Sequence, residues 1–199
     1  DIKLILAYHT VSQIGLILTG ISMGTPQAQI GAMYHIINHA LFKSTLFLSA
    51  GLIIDRYQTR QIYQIRGVFR EMPAVAAATL MAILGITGAP FFNGSISKYW
   101  IAYGAEGLVL NGLLMLINLG TVVSFVKYSG IMGGRSTAPT AREKEAPDRW
   151  TQGVVLVLGL LCLMGGILAS RIIWILFQIE LVIEPASYLQ KSLYYLVTL

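Results

Sequence analysis

Charged side chains are scarce in this chain of 199 residues: Asp, Glu, Lys and Arg together make up 12% of it, against about 25% in soluble domains. Hydrophobic residues make up 55%. This balance excludes an ordinary soluble domain and indicates an integral membrane protein. Cysteine is nearly absent as well, because Cys162 is the single one. No disulfide can therefore form within the chain, and a metal or haem site on cysteine is not expected.

Cofactor motifs are also missing from the sequence. No flavin, haem, iron-sulfur or nucleotide motif occurs, so we expect no cofactor on this chain and assign any electron carriers to partner subunits. No signal peptide is present, and the first residue is Asp1 rather than Met. We therefore interpret the chain as the carboxy-terminal part of a longer protein.

Long apolar segments dominate what is present. About 20 residues suffice to cross the hydrocarbon core, and the segments of that length are residues 2–22, 30–54, 74–103, 108–128 and 151–170. The third is too long for one straight span and contains Pro90 among several glycines, which predicts a discontinuous helix. The fold class is therefore an all-α membrane protein of about five transmembrane helices. A solvated polar loop should occupy residues 134–150, and the tail 171–199 either continues the fifth helix or lies along the interface.

Basic residues fall on one side of this topology. Five crossings place ten of the fourteen Lys and Arg residues at the same end of the bundle, in the start of the first span and the loops near 56–70 and 127–149. The opposite loops contain only one charged residue, Glu106. Because cytoplasmic loops collect Lys and Arg, the basic loops should lie in the cytoplasm.

The second span carries three titratable groups in a row: His35, His39 and Lys43. The spacing of four residues places them on one helix face. A lysine at the centre of a membrane helix costs roughly 2.5 to 3.5 kcal/mol, so it is by default a functional-site hypothesis. Burial disfavours its charged form and histidine titrates near neutral pH, so the row is a candidate proton wire. The alternatives are a lysine hydrogen-bonded to a neighbouring helix for purely structural reasons and, less favoured, a zinc site on the two imidazoles, which lacks a third ligand in that helix.

Lys98 is the second candidate, because it follows the break in the third span. Irregular backbone is tolerated in a bilayer where it lines a cavity, and Lys98 is expected to line one. The alternative is an interfacial lysine that extends toward the outer surface beside Trp100. At the start of the chain, Asp1 should place an acid in the first turn of the first helix, and Lys3 should extend into water. Ser12 and Gln13 should face a neighbouring helix, and a local hydrogen bond is favoured for His9.

Three segments resemble one known family. These are DIKLILAYHTVSQIG at residues 1–15, the segment 35–51, and GAPFFNGSISK at residues 88–98. In this order they are similar to the proton-translocating antiporter-like subunits shared by respiratory complex I (NADH:quinone oxidoreductase), membrane-bound hydrogenases and Mrp-type Na⁺/H⁺ antiporters. The resemblance covers about residues 1–104. It implies that residues 1–133 form part of the second of two inverted five-helix repeats, and that residues 151–199 add a terminal transmembrane helix and tail.

The resemblance also implies roles for individual residues. Lys43 matches the lysine of the central hydrophilic axis, with His35 and His39 as its companions. Lys98 matches the lysine of the broken helix that leads protons outward, and Lys3 matches a basic position on the cytoplasmic side. Asp1, Ser12 and His9 support this path, although His9 stands where relatives commonly have Ser.

The function that follows is proton translocation as a non-redox membrane subunit of a complex I-like or related redox-driven pump. Membership of an Mrp-type cation/proton antiporter and a structural membrane scaffold remain alternatives. The expected partners are other membrane subunits, the lipid bilayer and protons or Na⁺, in a bacterial or archaeal cell membrane, and nucleic acid is not expected.

Overall fold

The computed structural model describes residues 1–135, 148–180 and Tyr188. The described residues form helices and no strand: α1 Ile2–Ser22, α2 Pro26–Tyr57, α3 Val68–Glu71, α4 Pro73–Thr87, α5 Asn93–Tyr103, α6 Leu108–Ser129, α7 Arg149–Ile167 and α8 Ala169–Phe177. Four of them, α1, α2, α6 and α7, are long and apolar enough to cross a membrane, and α4 is a shorter apolar helix. Most of the polar loop predicted at 134–150, and the tail beyond 180 except Tyr188, lie outside the described residues.

Helix α2 occupies the centre of the bundle, since α1, α4, α5 and α7 all pack against it. Its middle is surrounded by a core that includes Ile2, Phe42, Leu46 and Ile86. Glycines allow α7 to approach closely: a Cβ at Gly159 would contact Ala78 of α4. Tyr34 of α2 also donates a hydrogen bond to the carbonyl of Gly165 in α7. The titratable row of α2 is thus enclosed by helices on several sides.

Loop contacts define two ends of the bundle. At one end, the amide of Ile2 donates to the carbonyl of Arg60, and the amide of Gly67 donates to the carbonyl of Gly133. These contacts join the start of α1, the loop after α2 and the end of α6. At the other end, the Thr25 hydroxyl donates to the carbonyl of Gly104 over 3.1 Å. The helices therefore alternate in direction, as the charge pattern requires.

The third span is broken, as its sequence predicts. Helix α4 ends at Thr87, α5 begins at Asn93, and the backbone between them turns through positive φ angles at Gly88 (82°) and Phe91 (70°). Glycine adopts this region without steric cost, whereas Phe91 does not. Tyr188 contacts the break, because its hydroxyl accepts from the Phe91 amide and lies 2.6 Å from the Ser95 hydroxyl.

Several predicted boundaries need correction. The second span extends beyond 30–54 to Pro26–Tyr57, so Arg56 lies in the last turn of α2 instead of in a loop. A cation is favourable there because it faces the negative end of the helix dipole. The fifth span ends at Ile167 instead of residue 170, and α8 follows after Leu168. Backbone bonds from Leu168 to Met164 and from Ile172 to Leu168 bridge the interruption, so the described part of the tail continues the fifth helix.

Candidate functional site

Lys43 lies near the middle of α2 and only 7% of it is exposed. Its Nζ atom donates a hydrogen bond of 2.5 Å to the backbone carbonyl of Leu6 in α1. The same atom lies 5.7 Å from the centroid of the Phe47 ring. Within the described residues, no carboxylate pairs with this lysine. Its Nζ atom can therefore lose a proton without leaving a buried acid unpaired.

His35, two turns before Lys43, is fully buried. Its Nδ1 atom lies 2.7 Å from the hydroxyl of Ser97 in α5, and its Nε2 atom lies 3.0 Å from the amide oxygen of Gln13 in α1. Asn38 donates to the same Ser97 oxygen over 3.2 Å. The imidazole thus joins three helices.

His39 lies between these two groups on α2 and is half-buried. Its Nε2 atom is buried without a hydrogen-bond partner among the described residues. The Phe42 ring packs 5.9 Å from the ring of His35 and 5.6 Å from that of His39, measured between centroids. In the described part of the chain, no hydrogen bond links Lys43 to either imidazole. The row shares one helix, as predicted, but a proton passing along it needs water or side-chain motion between the groups.

The side chain of Lys98, in α5, extends across the helix break toward the end of α4. Its Nζ atom donates to the carbonyl of Ile86 at the end of α4 over 2.6 Å and to the side-chain oxygen of Asn118 in α6 over 2.8 Å. This direction contradicts the alternative of an interfacial lysine extending to the outer surface. Lys98 lines a pocket between α1, α5 and α6, together with Thr87, Ser95 and Asn118. The expectation of a cavity at the break is confirmed.

Lys3 of the predicted pathway and the three supporting residues Asp1, His9 and Ser12 differ in their surroundings at the start of the chain. Asp1 was predicted as an acid in the first turn, and it lies just before the helix as its cap, because its carboxylate accepts from the amides of Lys3 (2.8 Å) and Leu4 (3.3 Å). Lys3 is exposed and Ser12 is half-buried. His9 is buried against the Phe125 ring, with 4.8 Å between the centroids. The local hydrogen bond favoured for His9 is absent at Nδ1, which has no partner among the described residues.

Sequence reasoning missed most of the uncharged polar groups around these bases. Asn118 bonds to Lys98, while Ser97, Asn38 and Thr121 join the surroundings of His35. A signal was available, because amides and hydroxyls within apolar spans usually hydrogen-bond to a neighbouring helix. This signal predicts that such a residue makes an interhelical hydrogen bond, but it does not predict which residue is the partner.

Comparison with known proteins identifies the family. A family model described as "NADH:quinone oxidoreductase/Mrp antiporter, TM" matches residues 1–126. The chain belongs to this family. Membership in the NADH:quinone oxidoreductase/Mrp antiporter family confirms the resemblance found in the sequence. Together with the long apolar helices, it makes the chain an integral membrane protein.

Individual relatives of this family extend over most of the chain. A probable K(+)/H(+) antiporter subunit of Rhizobium meliloti (strain 1021) is 36% identical over 87% of this chain and 18% of that protein. Formate hydrogenlyase subunit 3 of Escherichia coli (strain K12) is 31% identical over 94% of this chain and 35% of its own length. This chain therefore spans well under half the length of these two curated relatives.

A solved structure shares the fold. A chain in the structure of the Mrp complex from Dietzia sp. DQ12-45-1b superimposes with a TM-score of 0.74, covering 94% of this chain and 44% of that chain. The identity is 23%, so this likeness concerns the fold alone.

Proposed function

We propose that this chain moves protons across the membrane through Lys43, His39, His35 and Lys98, as part of a membrane subunit of a redox-driven complex of the NADH:quinone oxidoreductase type or a related one. The electron carriers and the remaining membrane subunits belong to other chains of that complex. Membership of the family supports a membrane subunit of either kind of complex, and the formate hydrogenlyase relative favours the redox-driven one.

One observation carries the proposal: among the described residues, the hydrogen-bond acceptors of Lys43 and Lys98 are all uncharged oxygen atoms. Lys43 donates to the Leu6 carbonyl, and Lys98 donates to the Ile86 carbonyl and the Asn118 amide. A lysine that served only as a structural ion would need a carboxylate to offset the loss of its hydration. Neutral acceptors can accept from an ammonium, which binds them more strongly, and also from an amine. Loss of the proton therefore leaves no unpaired carboxylate, which suits a group that exchanges protons.

The proposed route runs from the basic end to the break. Lys3 lies on α1 between that end and Leu6, which Lys43 contacts, and His9 follows Leu6 by three residues. Lys3 is therefore a candidate group for uptake and His9 a candidate group beside Lys43, with Asp1 and Ser12 next to them. A proton on one buried base disfavours a second proton on its neighbour, so adjacent bases titrate as a coupled set. A change of charge in a neighbouring subunit would then load Lys43 and release a proton past Lys98.

Proton translocation by the complete assembly in sealed vesicles tests the proposal. Lys43→Ala should suppress translocation while the assembly and its electron transfer persist. Lys127→Ala is the matched control, because Lys127 is an exposed lysine that lies over the Tyr63 ring at the basic end. Undiminished translocation in the Lys43 variant would refute the proposal.

Cation/proton antiport is a second candidate function. The rhizobial relative, named as a probable K(+)/H(+) antiporter subunit, covers most of this chain at higher identity than the formate hydrogenlyase relative. An antiporter would use the same buried bases without electron transfer. Vesicles that acidify or alkalinise on addition of Na⁺ or K⁺, with no electron donor present, would favour antiport over the redox-driven pump.

The proposed orientation places the basic end in the cytoplasm of a bacterial or archaeal cell. Arg60 and Glu106 are exposed residues at opposite ends of the bundle, and the native Cys162 is buried. Cysteines introduced as Arg60→Cys and Glu106→Cys should therefore react selectively with a membrane-impermeant maleimide. Labelling of intact cells at position 106 but not at position 60 is expected, and the reverse pattern would invert the orientation.

A further inference from the structure

A line of hydrogen bonds crosses the bundle through His35. It runs from Thr121 of α6 to Gln13 of α1 over 3.4 Å, from Gln13 to His35 over 3.0 Å and from His35 to Ser97 over 2.7 Å. All four side chains are almost completely buried, with at most 1% of each exposed. Neither Gln13 nor Ser97 carries a charge, and neither belongs to the proposed route.

The donors and acceptors on this line fix the direction of the Gln13 amide. Thr121 donates its single hydroxyl hydrogen to the carbonyl of Ile117 over 2.9 Å, so its oxygen accepts from the Gln13 amide nitrogen. The amide oxygen of Gln13 then faces His35. An amide oxygen only accepts hydrogen bonds. We therefore assign the proton of neutral His35 to Nε2.

Ser97 can accommodate either charge state of His35 at the other ring nitrogen. When Nδ1 is unprotonated, the Ser97 hydroxyl donates to it. When Nδ1 carries a proton, the Ser97 oxygen accepts, and its own hydrogen turns toward the carbonyl of Gly94 (3.2 Å) or Asn93 (3.4 Å). Both arrangements leave the second lone pair of the oxygen free for Asn38. His35 can thus gain and lose a proton without an unpaired buried polar atom, which would be costly.

We propose that Gln13 and Ser97 are positioning residues that restrict proton exchange on His35 to Nδ1. Gln13 holds the Nε2–H tautomer, and the Ser97 hydroxyl rotates as Nδ1 gains or loses its proton. The proton is relayed by the Ser97 hydroxyl, which passes its hydrogen to Nδ1 while its oxygen takes up a proton from the route of buried bases. The reverse transfer releases that proton again, so Nδ1–H is the one bond of His35 that forms and breaks. The effect on transport rests on the proposed function, whereas the tautomer assignment does not.

The test combines nitrogen-15 NMR of histidine-labelled complex with proton translocation in vesicles, and the His35 signal is assigned by its loss in His35→Asn. The unaltered complex should show neutral His35 as the Nε2–H tautomer. Gln13→Leu should give a mixture of tautomers, and translocation should fall roughly two- to tenfold, the range that one buried hydrogen bond is worth. Ser97→Ala should reduce translocation by a similar factor with the Nε2–H tautomer retained.

Two variants serve as controls. Gln13→Glu keeps an accepting oxygen toward Nε2 and should keep the Nε2–H tautomer. Thr79→Val removes a buried hydroxyl whose acceptor, among the described residues, is the Val75 carbonyl of its own helix, so it should change neither the spectrum nor translocation.

The Nδ1–H tautomer in the unaltered complex would overturn the inference, as would an unchanged spectrum or unchanged translocation in Gln13→Leu. If Ser97→Ala translocates at the rate of the unaltered complex, Ser97 has no part in the exchange. Failure of the proposed function would look different, because Lys43→Ala would then translocate normally whatever the tautomer of His35.

Discussion

The Nζ atom of Lys43 lies 2.5 Å from the carbonyl oxygen of Leu6, so the lysine at the middle of α2 is bound to the backbone of α1. The Leu6 carbonyl also accepts from the Thr10 hydroxyl over 3.2 Å. A neutral carbonyl that also accepts another hydrogen bond offsets the desolvation of a permanent buried charge less well than a carboxylate would. The contact holds the amine in place and leaves its protonation state open to change.

Replacement of Lys98 tests the outer half of the route. Lys98→Ala in the complete assembly should lower the ratio of protons translocated to electrons transferred, because the exchangeable amine at the break is lost. Asn118→Leu should have a smaller effect, since it leaves the Ile86 carbonyl as an acceptor for Lys98. Simultaneous measurement of proton release and electron transfer in vesicles gives this ratio. A normal ratio in Lys98→Ala would remove this residue from the path.

Close packing of α7 against the helix break predicts a stability difference between two glycines of the same helix. A Cβ at Gly166 would overlap the backbone carbonyl of Phe91, whereas one at Gly153 would have no atom within 4 Å. Gly166→Ala should destabilise the protein by about 1–3 kcal/mol through overpacking. Gly153→Ala should be neutral or stabilising by up to about 1 kcal/mol, because alanine favours the helix. Thermal unfolding in detergent compares them, and equal midpoints would contradict the packing described for the break.

The ion pair at the basic end should contribute little to stability. Arg56 and Glu71 approach within 2.9 Å, with 13% and 32% of their side chains exposed. Partial exposure screens the attraction, so Glu71→Gln should cost at most about 1 kcal/mol and less at high salt. Glu106→Gln, at an exposed site on the other end, should have no effect on the same unfolding measurement. A loss of several kcal/mol in the Glu71 variant would show that this pair fixes the loop after α2.

The sequence was sufficient to predict the broken third span. Pro90 cannot donate a backbone hydrogen bond, and Gly88 accepts a positive φ angle, so this segment could not continue α4. The positions of Lys43 and Lys98 within apolar spans were equally visible, because apolar length and charge can be read without a structure.

The partners of these lysines were not predictable, because they depend on which backbone groups the tertiary fold brings close. Lys43 binds the Leu6 carbonyl, 37 positions away, and every residue has such a carbonyl, so no side-chain pattern marks this one. The orientation of the Lys98 side chain could not be predicted for the same reason, because its acceptors, the Ile86 carbonyl and the Asn118 side chain, lie on other helices. The interruption at Leu168 between α7 and α8 was not predicted, because no proline marks it. Continuation of the fifth helix into the tail was one of the two expected alternatives.

Proton translocation by Lys43→Gln tests the central claim most directly. Glutamine keeps a hydrogen-bond donor for the Leu6 carbonyl but cannot exchange a proton, so it separates a structural role from a transport role. The account predicts that the complete assembly forms normally and that its proton translocation in sealed vesicles is abolished. Translocation at the rate of the unaltered protein would contradict the account and favour a structural scaffold in which Lys43 only joins two helices.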